Sequence, residues 1–259
     1  MLRMYRWTWS CPTATVVGLA LLLASAWGQP NEDVQRCTGA EGGVDERIAA
    51  CTRAIALGPV SGSVVEPLFV NRGIAWARKG NFDRALADFN EAIQRNPQDA
   101  RAYFNRGGVW LRKNAFDRAI ADYSEVIGLN PHDAPLQVCN PDGVRCGRMD
   151  ATAYKNRGIA WGQKGDHDRA IADFAEAIER DPQDAQSYFN RGFTWGQKGD
   201  FDRAIPDLDE AIRLNPQFAH AYYVRGLVWT KKGERDRANA DFSEASRLNP
   251  KLKPPSFNP

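Results

Sequence analysis

Cysteine, histidine and methionine are all scarce in this chain: 259 residues contain five, three and three of them. The histidines, His132, His167 and His220, stand apart and lack a nucleophile motif. His-Glu-x-x-His, Gly-x-Ser-x-Gly and a phosphate-cradling glycine loop are all missing. No enzyme activity, catalytic residue or cofactor is therefore expected. His132 with Cys139 and Cys146 would supply three irregularly spaced ligands, too few for a closed metal site. Excess charge of one sign is also missing. Thirty-four basic and 32 acidic residues leave +2, and Arg3 and Arg6 account for both units. A near-neutral chain has no general electrostatic attraction to nucleic acid or to an anionic membrane. Long apolar runs are absent too, since Val16 to Ala24 is too short to span a bilayer comfortably.

What is present begins with a processing pattern. Arg3 and Arg6 precede the apolar run, and Ala24-Ser25-Ala26 and Ala26-Trp27-Gly28 offer small residues at cleavage spacing. Residues 1–28 thus read as an export signal, Cys11 is lost with it, and no stable membrane insertion is expected after cleavage. Export to a bacterial periplasm, or otherwise secretion, is the expectation. Four cysteines then remain, and an even count in an exported chain reads as two disulfides. Of three connectivities, Cys37–Cys51 with Cys139–Cys146 is the simplest.

Prolines recur at 97, 131, 182, 216 and 250, with gaps of 34, 51, 34 and 34 residues. A fixed period signals an array of one unit that buries its apolar face only by stacking. In the unit 66–97, Pro67 to Lys79 reads as one helix and Gly80-Asn81 as a break. A second helix carries Phe82, Ala85, Leu86, Phe89, Ala92 and Ile93 at spacings of three and four. The other units match in register. Trp76, Trp110, Trp161, Trp195 and Trp229 form one column, and Gly73, Gly107, Gly158, Gly192 and Gly226 another. The glycines point to close approach of the second helix, against Ala85, Ala119, Ala170, Ala204 and Ala238. Arg84, Arg118, Arg169, Arg203 and Arg237 each stand four residues before Asp88, Asp122, Asp173, Asp207 and Asp241. That spacing reads as exposed ion pairs on a solvated face.

This small-large pattern, 34-residue helix-turn-helix unit and closing proline resemble the tetratricopeptide repeat. The resemblance implies an all-α solenoid of antiparallel helix pairs, coiled as a right-handed superhelix. Departures are Trp late in the first helix, Asn114 for an inter-helix glycine, and Pro206 inside a second helix, which is expected to bend it. Residues 29–65 read as a degenerate half-repeat cap, 66–131 as two units, 132–149 as a stapled insertion, 150–250 as three units and 251–259 as a loose tail. Arg235, Asn239 and Ser246 give the last unit a polar outer face.

The resemblance also implies a concave groove lined by first helices. Its columns would include Asn71, Asn105, Asn156 and Asn190, then Phe104, Lys155, Phe189 and Tyr223, then Arg78, Arg112 and Lys231. Two roles fit the carboxamides: pairing with a bound peptide, or bracing the neighbouring first helix. The expected partner is a protein or peptide rather than nucleic acid. The rival reading is a self-associating scaffold, so a homo-oligomer is the alternative state.

Overall fold

The computed structural model describes residues 32–39, 42–57, 65–129, 137–139 and 146–255. The export-signal reading therefore lies outside the described residues, as does His132. The described residues divide into two compact units, one up to Asn96 and one from Pro97 onward.

In the first unit, α1 covers 32–38, α2 Val44–Ala56, α3 Val65–Arg78 and α4 Phe82–Arg95. Helix α1 is short, and a Cys37–Cys51 disulfide joins it to α2. Both cysteines are fully buried, among Val34, Ala54, Ile55 and Leu68. Closing a loop of this size contributes about 3 kcal/mol in the chain-entropy model. Arg53 adds a two-pronged bond to Asp33. That contact holds the Asp33 carboxyl below its ordinary range.

The second unit contains α5 Ala100–Arg112, α6 Phe116–Leu129, α7 Met149–Gln163 and α8 His167–Arg180. It continues with α9 Ala185–Lys198, α10 Phe201–Leu214, α11 Ala219–Lys232 and α12 Arg235–Leu248. Helix α10 runs through Pro206 without interruption. Between α6 and α7, β1 Gln137–Cys139 pairs antiparallel with β2 Cys146–Arg148. The backbone sets Cys139 opposite Cys146; the side chains of that pair, and so the expected bond, lie outside the described residues. The insertion does not interrupt the stack. Tyr123 and Val126 of α6 share one core with Met149, Ala153 and Ala160 of α7. Arg148 clamps buried Asp150 from the strand side, and Arg180 approaches from α8. After α12 the chain folds back, and the Ser246 hydroxyl donates to the Leu252 carbonyl at 2.7 Å.

Each helix pair closes through the same set of contacts. The turn glycines Gly80, Gly165, Gly199 and Gly233 have φ of +81° to +83°, and Asn114 takes their place at +56°. Asparagine is among the few L-residues that enter this region at low cost. The packing glycines serve another need. A Cβ on Gly73 would lie 2.6 Å from the Phe89 ring, and one on Gly158 or Gly226 would lie 2.8 Å from Phe174 or Phe242.

The aspartate column overturns one expectation. Asp88, Asp122, Asp173, Asp207 and Asp241 are 4–7% exposed, so they are buried rather than on a solvated face. Their partners are not the arginines four residues earlier. Arg72, Arg106, Arg157, Arg191 and Arg225 reach across from the first helix, each donating from Nε and Nη2 to both carboxylate oxygens at 2.6–2.9 Å. The reason is helical geometry: Asp88 sits within the inward stripe of Ala85, Phe89 and Ala92. Arg84, Arg118, Arg169, Arg203 and Arg237 instead lie over the tryptophans of their own units, 4.5–4.7 Å from ring centroids.

The two arginine columns should differ sharply in stability measurements. Asp207→Ala leaves Arg191 half-buried without its counter-charge and should cost about 3 kcal/mol. Arg203→Ala removes an exposed cation–ring contact and an exposed ion pair to Asp200, and should cost about 0.5 kcal/mol. Urea denaturation followed by circular dichroism compares them, and equal losses would contradict this assignment.

Candidate functional site

In the second unit, α5, α7, α9 and α11 contact one another in succession. The second helices α6, α8, α10 and α12 show no comparable succession of close contacts. The first helices therefore form the more tightly gathered layer, on the inner side of this unit's curve. Residues at i, i+7 and i+11 of a helix share one stripe. On this layer the stripe reads Arg101, Gly108, Arg112; Thr152, Ile159, Gln163; Gln186, Phe193, Gln197; and His220, Leu227, Lys231. Ile159, Phe193 and Leu227 make a single apolar row flanked on both sides by polar and basic groups. Phe193 is 41% exposed, one of few large apolar side chains so open among the described residues.

The anticipated groove residues divide into free and engaged groups. Arg112 and Lys231 are exposed, as is Arg78 on α3 of the other unit, where Asn71 is half-buried. Three of the four carboxamides bond to groups beside them. Asn105 donates to the Arg101 carbonyl of its own helix at 2.7 Å. Asn156 donates to the Tyr123 hydroxyl at 3.2 Å, linking α7 to α6. Asn190 accepts from Gln186, while its Nδ2 is sealed from solvent and has no partner among the described residues. The sequence register supplies a cause. Tyr123 is replaced by Phe174 in the next unit, so the hydroxyl that Asn156 meets has no counterpart for Asn190. Of the two roles open to this column, the geometry of Asn156 is bracing.

A parallel exchange occurs beside it. Lys155 donates to Asp184 at 2.9 Å, and Ser187 adds a bond at 2.6 Å. Burial alone would raise the Asp184 pKa, but the Lys155 charge and these bonds outweigh it and hold the carboxyl below its usual range. One unit later the same two positions are Phe189 and Phe218, with rings 4.8 Å apart. Phe189 also stacks on Phe193 at 6.2 Å and 14°. Phe104 and Tyr223 stand edge-on or tilted to Tyr123 and Phe242. An ion pair thus becomes an aromatic cluster that opens to solvent at Phe193.

Sequence reasoning missed the row of Ile159, Phe193 and Leu227 and the buried arginine column. Both carried a signal: the row follows the i, i+7, i+11 pattern, and the arginines stand in register immediately before the packing glycines. The exposed groups of this face are rings, amides and cations, suited to reversible recognition of another chain. Among the described residues, no cluster of three or more His, Cys, Asp and Glu is placed to hold a metal. No described helix is long and apolar enough to cross a membrane.

Comparison with known proteins agrees with this architecture. Tetratricopeptide repeat family models match residues 70–134, 151–184 and 185–218, together more than half of the chain. The chain belongs to the tetratricopeptide-repeat family, an all-α class of protein-interaction modules. A search of curated proteins finds no match. Among solved structures it is similar to MamA, at 23% identity and a TM-score of 0.59, over 69% of this chain and 95% of that one. MamA 41-end from Desulfovibrio magneticus RS-1 gives 17% and 0.61, over 72% and 96%. YrrB, described as a tetratricopeptide-repeat protein with an unusual peptide-binding site, gives 18% and 0.58, over 82% and 94%. At these identities the likeness is one of fold.

The bracing role makes a prediction. Tyr123→Phe should orphan the Asn156 amide and cost about 1 kcal/mol. Phe174→Tyr should give Asn190 an acceptor and stabilise the chain by a similar amount. Paired denaturation curves test both, and a destabilised Phe174→Tyr chain would refute the register argument.

Proposed function

We propose that this protein is an exported adaptor or assembly factor that holds a polypeptide partner on the first-helix face of its second unit. The observation that carries the reading is the row of half-buried Ile159, exposed Phe193 and half-buried Leu227, bordered by exposed cations and amides. Contiguous apolar surface rimmed by polar groups marks interaction sites, and here exposed Phe193 continues the half-buried Phe189, Ile159 and Leu227. The peptide-binding site that YrrB's description records, on a protein of similar fold, supports the choice of partner. Export is supported by the composition of residues 1–28 and by the buried Cys37–Cys51 bond, because disulfides persist in oxidising compartments. A bacterial periplasm suits both. Self-association into a scaffold is the second reading. Against it stands the polar outer face of α12, where Arg235 and Asn239 are exposed.

Site-specific photocrosslinking tests the proposal. A benzophenone side chain replacing Gln197, on the first-helix face, should form polypeptide adducts in an extract of the native compartment. The same group replacing Arg213, exposed on α10, should form few. Equal adducts at both positions would end the reading, and adducts only with further copies of the chain would favour the scaffold.

A further inference from the structure

The chemistry of the same face restricts what binds there. This step rests on the proposed reading and narrows it. Across the stripe positions of α5, α7, α9 and α11 there is no aspartate or glutamate. The charged groups are Arg101 and Arg112 on α5 and Lys231 on α11, and all three are exposed. No acidic partner is found for Arg101, Arg112 or Lys231 among the described residues. Lys155 is already neutralised by Asp184. Between the two basic ends run Ile159, Phe193 and Leu227, one per helix. Gly108 holds the matching place on α5 and offers no apolar side chain.

Packed helices lie about 8–10 Å apart. A polyproline-II segment advances about 3.1 Å per residue with three residues per turn, so one face recurs about every 9 Å. A β-strand repeats its face about every 7 Å and falls out of step after one unit. An amphipathic helix needs an apolar surface at least about 100° wide, whereas this row is one side chain wide. We infer that the face takes an extended, polyproline-II-like peptide with an apolar side chain at every third residue and carboxylates flanking that run. The apolar side chains sit on Ile159, Phe193 and Leu227. The carboxylates meet Arg101 and Arg112 at one end and Lys231 at the other.

The test uses the full chain and fluorescein-labelled synthetic peptides read by anisotropy. The lead probe carries leucine at every third position, proline and glutamine between, and glutamates at both ends. Three others place leucine at every second position, replace the glutamates by lysine, or form a leucine-striped helix. The lead probe should bind at least about tenfold tighter than each of these. Phe193→Asp should weaken it by about tenfold, and Arg112→Glu with Lys231→Glu should abolish the preference for glutamate over lysine. Arg213→Ala should change nothing. Because the altered side chains are exposed, an unchanged circular dichroism spectrum verifies folding. Equal binding of the second-position probe, preference for the helical probe, or indifference to Phe193→Asp would overturn the inference. If those results came while Gln197 crosslinks persisted, only this inference would fall. Loss of the crosslinks would remove the wider reading.

Discussion

The bidentate bond between a first-helix arginine and a second-helix aspartate is the constraint around which each unit is arranged. A guanidinium can satisfy a carboxylate at both oxygens only if the two helices are fixed in distance and rotation. The glycine next in sequence to each arginine permits that distance, since a methyl group there would strike the facing second-helix side chain in most units. The tie and the gap that permits it therefore come from adjacent residues. Burying the pair costs desolvation, and its balance is not uniform. Asp122 is raised in pKa because burial outweighs Arg106, whereas Arg157 and Arg191 are raised chiefly by their bonds to aspartate. Such pairs contribute more to a single geometry than to net stability.

The same arginine also couples units. Its free nitrogen, Nη1, donates to the preceding second helix: Arg72 to Thr52, Arg157 to Ser124 and Arg225 to Asp209. Lysines near the inter-helix turns add a second line of contacts, Lys79 to Asp45, Lys164 to Asp117, Lys198 to Asp168 and Lys232 to Asp202. These are exposed and individually weak. The cap at α1 and α2 reverses the scheme. There the acid, Asp33, lies on the first helix and the arginine, Arg53, on the second, with a disulfide as the principal tie between them. A short helix that lacks the arginine-glycine pair is held by a covalent bond instead.

The period, the helix pairs and the glycine contacts were legible because they depend on spacing alone. A residue's column follows from counting 34. The destination of a charged side chain does not. Arg84 and Asp88 are four apart and share a helix, so local rules pair them, whereas the bond that forms spans 16 residues and two helices. Reading it would have required noticing that the aspartates fall in the buried stripe, where a lone carboxylate is too costly to keep. The carboxamide column failed to announce its role for a related reason. Asn156 braces because Tyr123 offers a hydroxyl, and Asn190 does not because Phe174 has none. The meaning of one residue is set by another in the preceding unit.

That dependence explains why the second unit can differ along its length while its stack stays regular. The buried ties repeat with little change, and the half-buried side chains beside them accept substitution. Lys155 and Asp184 become Phe189 and Phe218 one unit on, without disturbing the fork between Arg191 and Asp207. Exchange of an ion pair for rings moves the local preference from charge to apolar surface while the backbone frame stays fixed. A face assembled from such exchanges can be basic at α5, apolar through α7 and α9, and basic again at α11. On the proposed reading, selectivity along an extended partner arises from which unit carries which side chain, and the arginine–aspartate forks keep those side chains in register.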